Sequence, residues 1–275
     1  MQISEWNWKS FDSLDMYARG CVPQGKPRAA ILLVHGHGEH VERYDHVAAA
    51  LTDAGYAMLA FDLRGHGKSG GARGHTPSYE ALMNDIDSGL KQVDLLYAGL
   101  PRFLYGHSLG GNLVLNYALR RKPALHGVIS TGPWLKLAFE PPVAQMALGR
   151  LMNGIAPGLI QHSKLETRGL SHDLAVVSAY DHDPLNHDKI SVRLFMAMQA
   201  SGLWALEHAA EFPLPLLLMH GAADPITSAK ASQEFAEKVG AKVTFKAWDG
   251  LYHEIHNEPQ NAEVFKFMLD WLAEH

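Results

Sequence analysis

Three residues lying far apart in this chain have settings suited to attack on an ester carbonyl. Ser108 sits in Gly106-His107-Ser108-Leu109-Gly110, a G-x-S-x-G pattern between an apolar run, Arg102 to Tyr105, and a helical pattern, Gly111 to Arg121. That context predicts a strand, a sharp turn and a helix, which together lift a serine hydroxyl above a sheet. Glycines beside the serine suit a strained turn in which a Cβ would collide with the neighbouring strand and helix. A serine hydroxyl is a weak nucleophile until a base takes its proton, and the base is commonly a histidine held by a carboxylate. The acid candidate is Asp224, in His220-Gly221-Ala222-Ala223-Asp224-Pro225, just past the apolar run Leu214 to Met219. The base candidate is His253, in Leu251-Tyr252-His253-Glu254-Ile255-His256. The order serine, aspartate, histidine is the one an elbow serine uses. Each residue also has a plainer reading. Asp224 precedes a proline and could start a turn, and His253 has neighbours in His220 and His256 among 17 histidines.

An attacked carbonyl needs donors for its developing negative charge. The backbone N–H of Leu109, next to the serine, is one candidate. The other is the N–H of His37, in His35-Gly36-His37-Gly38. The imidazole of His37 is read as structural or pocket-lining.

These groups need a sheet whose strands end near one another. Two strand-like pieces open the chain, Ile3 to Lys9 and Met16 to Val22. The continuous apolar run Ala30 to Val34 predicts a strand buried on both faces. Further strands are expected at Tyr56 to Phe61, Leu125 to Ser130, Leu214 to Met219 and Lys242 to Trp248. Helices are expected at Asp45 to Ala54, Tyr79 to Tyr97 and Ala262 to Ala273. Strands alternating with helices imply a mostly parallel sheet of about eight strands with helices on both faces. The alternation stops between Pro133 and Pro213, where helix-like pieces rich in Leu, Met, Phe and Trp are broken by prolines. This predicts a helical cap, 133–213, inserted into a core formed by 1–132 and 214–275.

The whole chain narrows the possibilities further. Its 275 residues, 47% hydrophobic and 19% charged, suffice for a large core. The net charge of −5 argues against a nucleic-acid partner, which would require a basic patch. Cys21 is the only cysteine, so no intrachain disulfide forms, which fits a reducing compartment. The first residues lack the basic and apolar regions of a secretory signal, and no apolar stretch approaches the roughly 18 residues of a membrane span. Gly65-His66-Gly67-Lys68-Ser69-Gly70 satisfies G-x-G-x-x-G, but no helix opens after it, so dinucleotide binding is rejected. A P-loop is rejected because Asp62 holds the position of its earlier glycine. His35, His37 and His40 are not read as metal ligands, since the glycines among them suit backbone approach to an oxyanion. No cofactor or metal is expected.

Taken together, His35-Gly36-His37-Gly38-Glu39-His40 with Arg43-Tyr44, Gly65 to Ser69, Gly106 to Gly111, His220 to Asp224 and Tyr252 to His256 resemble the monoacylglycerol lipases of the α/β-hydrolase superfamily. The resemblance runs from about Trp6 to Trp271, tight in the core and loose in the cap. It implies an α/β-hydrolase fold with Ser108, Asp224 and His253 as its triad. It also implies cleavage of monoacylglycerols to glycerol and fatty acid through an acyl-enzyme. Glu39, Arg43 and His256, and Tyr180 from the cap, match positions near the glycerol end of the substrate. Broader carboxylesterases and lysophospholipases share the core motifs and form the alternative reading; a non-catalytic scaffold is disfavoured by the complete triad. Surplus apolar residues in the cap would line an acyl tunnel or touch a membrane surface. The expected setting is cytoplasmic and peripheral to membranes, with a small lipid ester as the partner.

Overall fold

Alternate residues of each central strand face opposite sides of one sheet, and both sides are apolar, so helices cover both. The structure is a computed structural model that describes residues 1–163 and 165–275. The strands are β1 (Gln2–Lys9), β2 (Asp15–Val22), β3 (Ala30–Val34), β4 (Ala57–Phe61), β5 (Arg102–His107), β6 (Gly127–Thr131), β7 (Ile160–His162), β8 (Lys189–Ser191), β9 (Leu216–Gly221) and β10 (Val243–Trp248). The main sheet has eight strands in the order β1-β2-β4-β3-β5-β6-β9-β10. β2 runs antiparallel to both β1 and β4, and the remaining pairs are parallel. The helices are α1 (Asp45–Asp53), α2 (Tyr79–Leu96), α3 (Leu109–Arg121), α4 (Val143–Ile155), α5 (Leu174–His182), α6 (Val192–His208), α7 (Ala229–Val239) and α8 (Asn261–Glu274).

On one face Ile31, Leu33, Met58, Tyr105, Ile129 and Leu217 pack with Val47 and Leu51 of α1 and Met268 and Trp271 of α8. On the other, Leu32, Val34, Leu59, Leu104 and Leu218 pack with Ile86 of α2, Leu113 of α3 and Phe235 of α7. This is the α/β-hydrolase arrangement, and it brings the carboxyl ends of β3, β5, β6 and β9 to one edge, where ligand sites of parallel sheets form.

The segment between β6 and β9 departs from the expectation of helices alone. Ile160–His162 and Lys189–Ser191 pair antiparallel as a two-stranded sheet. Three-residue strands leave too short an alternation to be read from sequence. Within the same segment α6 is not peripheral: Leu194, Met198, Ala205 and Leu206 join the core cluster that includes Leu104 and Leu113. α4, by contrast, buries none of its residues. Among the described residues no helix is long and apolar enough to cross a membrane. The Gly65 to Gly70 stretch is a turn tied by its own bonds, with Asp62 accepting from the Lys68 N–H at 2.7 Å.

Candidate active site

The elbow begins where β5 ends. Ser108 has φ 54° and ψ −113°, a left-sided conformation that costs a non-glycine residue about 1–3 kcal/mol and persists only where its surroundings enforce it. They do so here through two close approaches. A Cβ on Gly106 would lie 2.2 Å from the Gly110 carbonyl oxygen, and one on Gly110 would lie 2.0 Å from that of Val34. The turn raises the Ser108 hydroxyl to the edge of the sheet, and α3 starts at Leu109, two residues earlier than the sequence pattern indicates.

The three sequence candidates converge. His253 Nε2 lies 2.9 Å from Ser108 Oγ, and His253 Nδ1 lies 2.7 Å from Asp224 Oδ2. All three side chains are buried. The carboxylate is fixed on both oxygens. Oδ1 accepts the N–H groups of Ile226 at 2.7 Å and Thr227 at 3.0 Å, while Oδ2 also lies 2.8 Å from the Thr227 hydroxyl and 2.9 Å from His220 Nε2. Burial alone would raise the Asp224 pKa, but the charge and donors of His253 and the donor of His220 hold it far below the carboxylate range. Burial disfavours charge on His253, yet Asp224, with Glu254 and Glu39 nearby, lifts the imidazole above its ordinary value. A base so placed can take the Ser108 proton, and a carboxylate so placed can stabilise the imidazolium.

The oxyanion candidates are also at this edge. Leu109 opens α3, so its N–H has no acceptor inside the helix. The N–H of His37 donates to no backbone group among the described residues. Gly36, beside it, is anchored by Glu39 Oε1, which accepts its N–H at 2.6 Å.

A cavity of about 680 Å³ opens over Ser108 and His253. Trp134, Leu137, Phe139, Ile190, Phe195 and Ile226 make it largely apolar, and Glu39, Tyr180 and Glu254 are among its polar lining residues. Glu39 and Tyr180, two of the expected substrate contacts, are among the residues that line it. Arg43 and His256, the other two, are not among its lining residues. The Arg43 guanidinium is consumed behind the wall: it grips Glu254 through two bonds of 2.7 Å, bonds Glu39, and lies 4.8 Å beneath the Tyr180 ring. His256 stacks on Tyr44 at 5.1 Å and meets His107 edge-on at 4.7 Å. Burial lowers its pKa to about 3, so it packs as a neutral ring. With one cation between two carboxylates, Arg43 pulls Glu254 far down against burial, while burial raises Glu39.

Sequence reasoning missed Glu254, which closes this network, and Thr227, which clasps Asp224. Their only signal is a polar residue beside a candidate catalytic residue. His35, His37 and His40 do not converge on a common point as metal ligands: His35 bonds Gly36 O and the Leu63 N–H, and His40 pairs with Asp183.

The parallel sheet, the strained elbow and the bonded serine–histidine–aspartate chain define a serine hydrolase of the α/β-hydrolase fold. The chain belongs to the family described as "Serine aminopeptidase, S33", which it matches over residues 25–260. It is similar to a monoacylglycerol lipase of Mycolicibacterium smegmatis, 32% identical over 258 residues that cover 92% of this chain and 91% of that one. An abhydrolase domain-containing protein of Dictyostelium discoideum is 37% identical over 279 residues, and there the chain spans only 29% of the relative's length. Among solved structures, the Paleococcus ferrophilus monoacylglycerol lipase superposes with a TM-score of 0.87 at 36% identity, covering 94% of this chain and 99% of that one.

Proposed function

We propose that this protein hydrolyses monoacylglycerols to glycerol and a fatty acid, with Ser108 as nucleophile, His253 as general base and acid, and Asp224 as the group that orients His253. The observation that carries this reading is the Ser108–His253–Asp224 chain, with links of 2.9 and 2.7 Å, opening into a largely apolar cavity that Glu39 and Tyr180 also line. His253 Nε2 takes the Ser108 proton as Oγ bonds to the ester carbon. The N–H groups of His37 and Leu109 hold the oxyanion. The imidazolium protonates the departing glycerol oxygen, the acyl group stays on Oγ, and water activated by the same base releases the fatty acid.

The apolar walls suit the acyl chain, and Glu39 and Tyr180 suit the glycerol hydroxyls. Arg43 and His256 support these two residues from behind. Residues 133–213 act as the cap, whose α4 turns Val143, Leu148, Leu151 and Ile155 outward at 58–86% exposure. An apolar face of that kind favours transient contact with a lipid surface, and we place the enzyme in the cytoplasm beside such membranes. Release of glycerol and fatty acid from 1- and 2-monoacylglycerols, compared with di- and triacylglycerols, lysophosphatidylcholine and p-nitrophenyl butyrate, tests the substrate. A strong preference for monoacylglycerols is expected. Better turnover of another ester would keep the triad and reassign the substrate to a broader esterase or lysophospholipase.

A further inference from the structure

Asp224 is held between two histidines, and the triad uses only one of them. His220, the next-to-last residue of β9, is fully buried. Its Nε2 lies 2.9 Å from Asp224 Oδ2, the same oxygen that His253 addresses, and its Nδ1 lies 2.7 Å from the Ser232 hydroxyl on α7. The proton positions follow from the partners. A carboxylate only accepts, so His220 Nε2 carries its hydrogen, and Nδ1 then accepts from Ser232. Thr227 completes the set on Oδ2 at 2.8 Å. The connection between β9 and α7 does not need this imidazole, because backbone bonds tie it already: Ala222 N–H to Trp248 O at 2.8 Å and Asp224 N–H to Gly221 O at 3.1 Å. An apolar side chain would fill the same space without the cost of burying two polar nitrogens.

Resting on the triad reading above, we propose that His220 is a positioning residue for the hydrolysis. Its Nε2–H anchors the Asp224 oxygen that holds His253 and, by sharing that oxygen, keeps the proton affinity of His253 below what an unshared Asp224 would give it. Several other groups face His253. Ser108 and His107 come from the elbow, the latter ring 4.8 Å away. Glu254 and His256 lie on its own loop. Glu39 lies after β3 with Arg43 behind it, and Thr227 Oγ1 is 3.2 Å from Nδ1. Of these, only Thr227 also touches His220, its Oγ1 3.2 Å from Nε2.

Two readouts on the full chain test the proposal: the His253 pKa from ring-nitrogen NMR, assigned with His253→Asn, and the acid limb of kcat/KM on p-nitrophenyl butyrate. In His220→Leu, which lacks the donor, both should move to higher pH by about 0.5–1 unit, part of the strength of a charge-assisted hydrogen bond. KM should stay within about twofold while kcat at mildly acid pH falls. His220→Gln, whose amide N–H reaches the same oxygen, should return both readouts toward the parent. Ser232→Ala weakens the donor and should give a smaller shift in the same direction. An unchanged His253 pKa in folded His220→Leu overturns the proposal. If that variant does not fold, an unchanged pKa in Ser232→Ala does so. Turnover retained in Ser108→Ala would instead sink the triad reading, and the NMR titration would still decide the role of His220.

Discussion

Replacing Asp224 by asparagine keeps the shape of the site and changes only which atoms can donate, so its outcome follows from the bonds around the carboxylate. Oδ1 faces two backbone N–H groups, those of Ile226 and Thr227. An NH2 group cannot sit against two donors, so the asparagine oxygen must occupy the Oδ1 place and its NH2 the Oδ2 place. That NH2 then displaces the hydrogen of His220 from Nε2 to its other nitrogen, where the Ser232 hydroxyl accepts it, and points at His253 Nδ1, 2.7 Å from the position it fills. Nδ1 becomes an acceptor, the ring proton moves to Nε2, and Nε2 can no longer take the Ser108 proton. The equivalent change in the serine-protease triad lowers kcat about 10⁴-fold, which corresponds to about 5 kcal/mol of lost transition-state stabilisation. Steady-state hydrolysis of a monoacylglycerol at neutral pH measures it, with circular dichroism as a check on folding. A folded Asp224→Asn variant that loses less than about tenfold would refute the assignment of tautomer and role.

Three further outcomes are expected. Gly110→Ala forces a Cβ to 2.0 Å from the Val34 carbonyl oxygen and should destabilise the fold by about 3 kcal/mol or more, read from urea unfolding. Arg43→Met leaves Glu39 and Glu254 buried without their cation and should cost about 3–5 kcal/mol at neutral pH. The folded variant would then hold its carboxyls protonated to higher pH than the unfolded chain does, so its stability deficit should shrink as pH falls, and a deficit constant with pH would count against the network. Leu148→Ser with Leu151→Ser removes apolar surface that is 58% and 59% exposed. Unfolding free energy should stay within about 0.5 kcal/mol while sedimentation with phospholipid vesicles falls, and undiminished vesicle binding would remove α4 from the membrane proposal.

The core was legible in the sequence because its signals are local and strong. Ala30 to Val34 reads as buried on both faces, and Gly106 to Gly110 admits few conformations. Asp224 and His253 were legible through chain order and their place after strands. What escaped depended on contacts between distant segments. Glu39, Arg43 and Glu254 form one buried network although Arg43 and Glu254 lie 211 positions apart. Adjacency in sequence to cavity residues therefore could not tell that Arg43 and His256 stand behind the wall rather than in it. The β7–β8 pair is too short for its period to show. The packing of α6 on α3 was hidden because an apolar helix reads alike whether it covers a core or a ligand.

Hydrolysis through Ser108 requires a covalent acyl group on its Oγ. Acid quench of the enzyme during turnover of 1-monooleoylglycerol, followed by intact and peptide mass spectrometry, tests it directly. An added mass of one oleoyl group is expected on the peptide that carries Ser108, raised in amount when deacylation is slowed and absent in Ser108→Ala. Turnover of the lipid with no such adduct, or with the adduct on another residue, would contradict it.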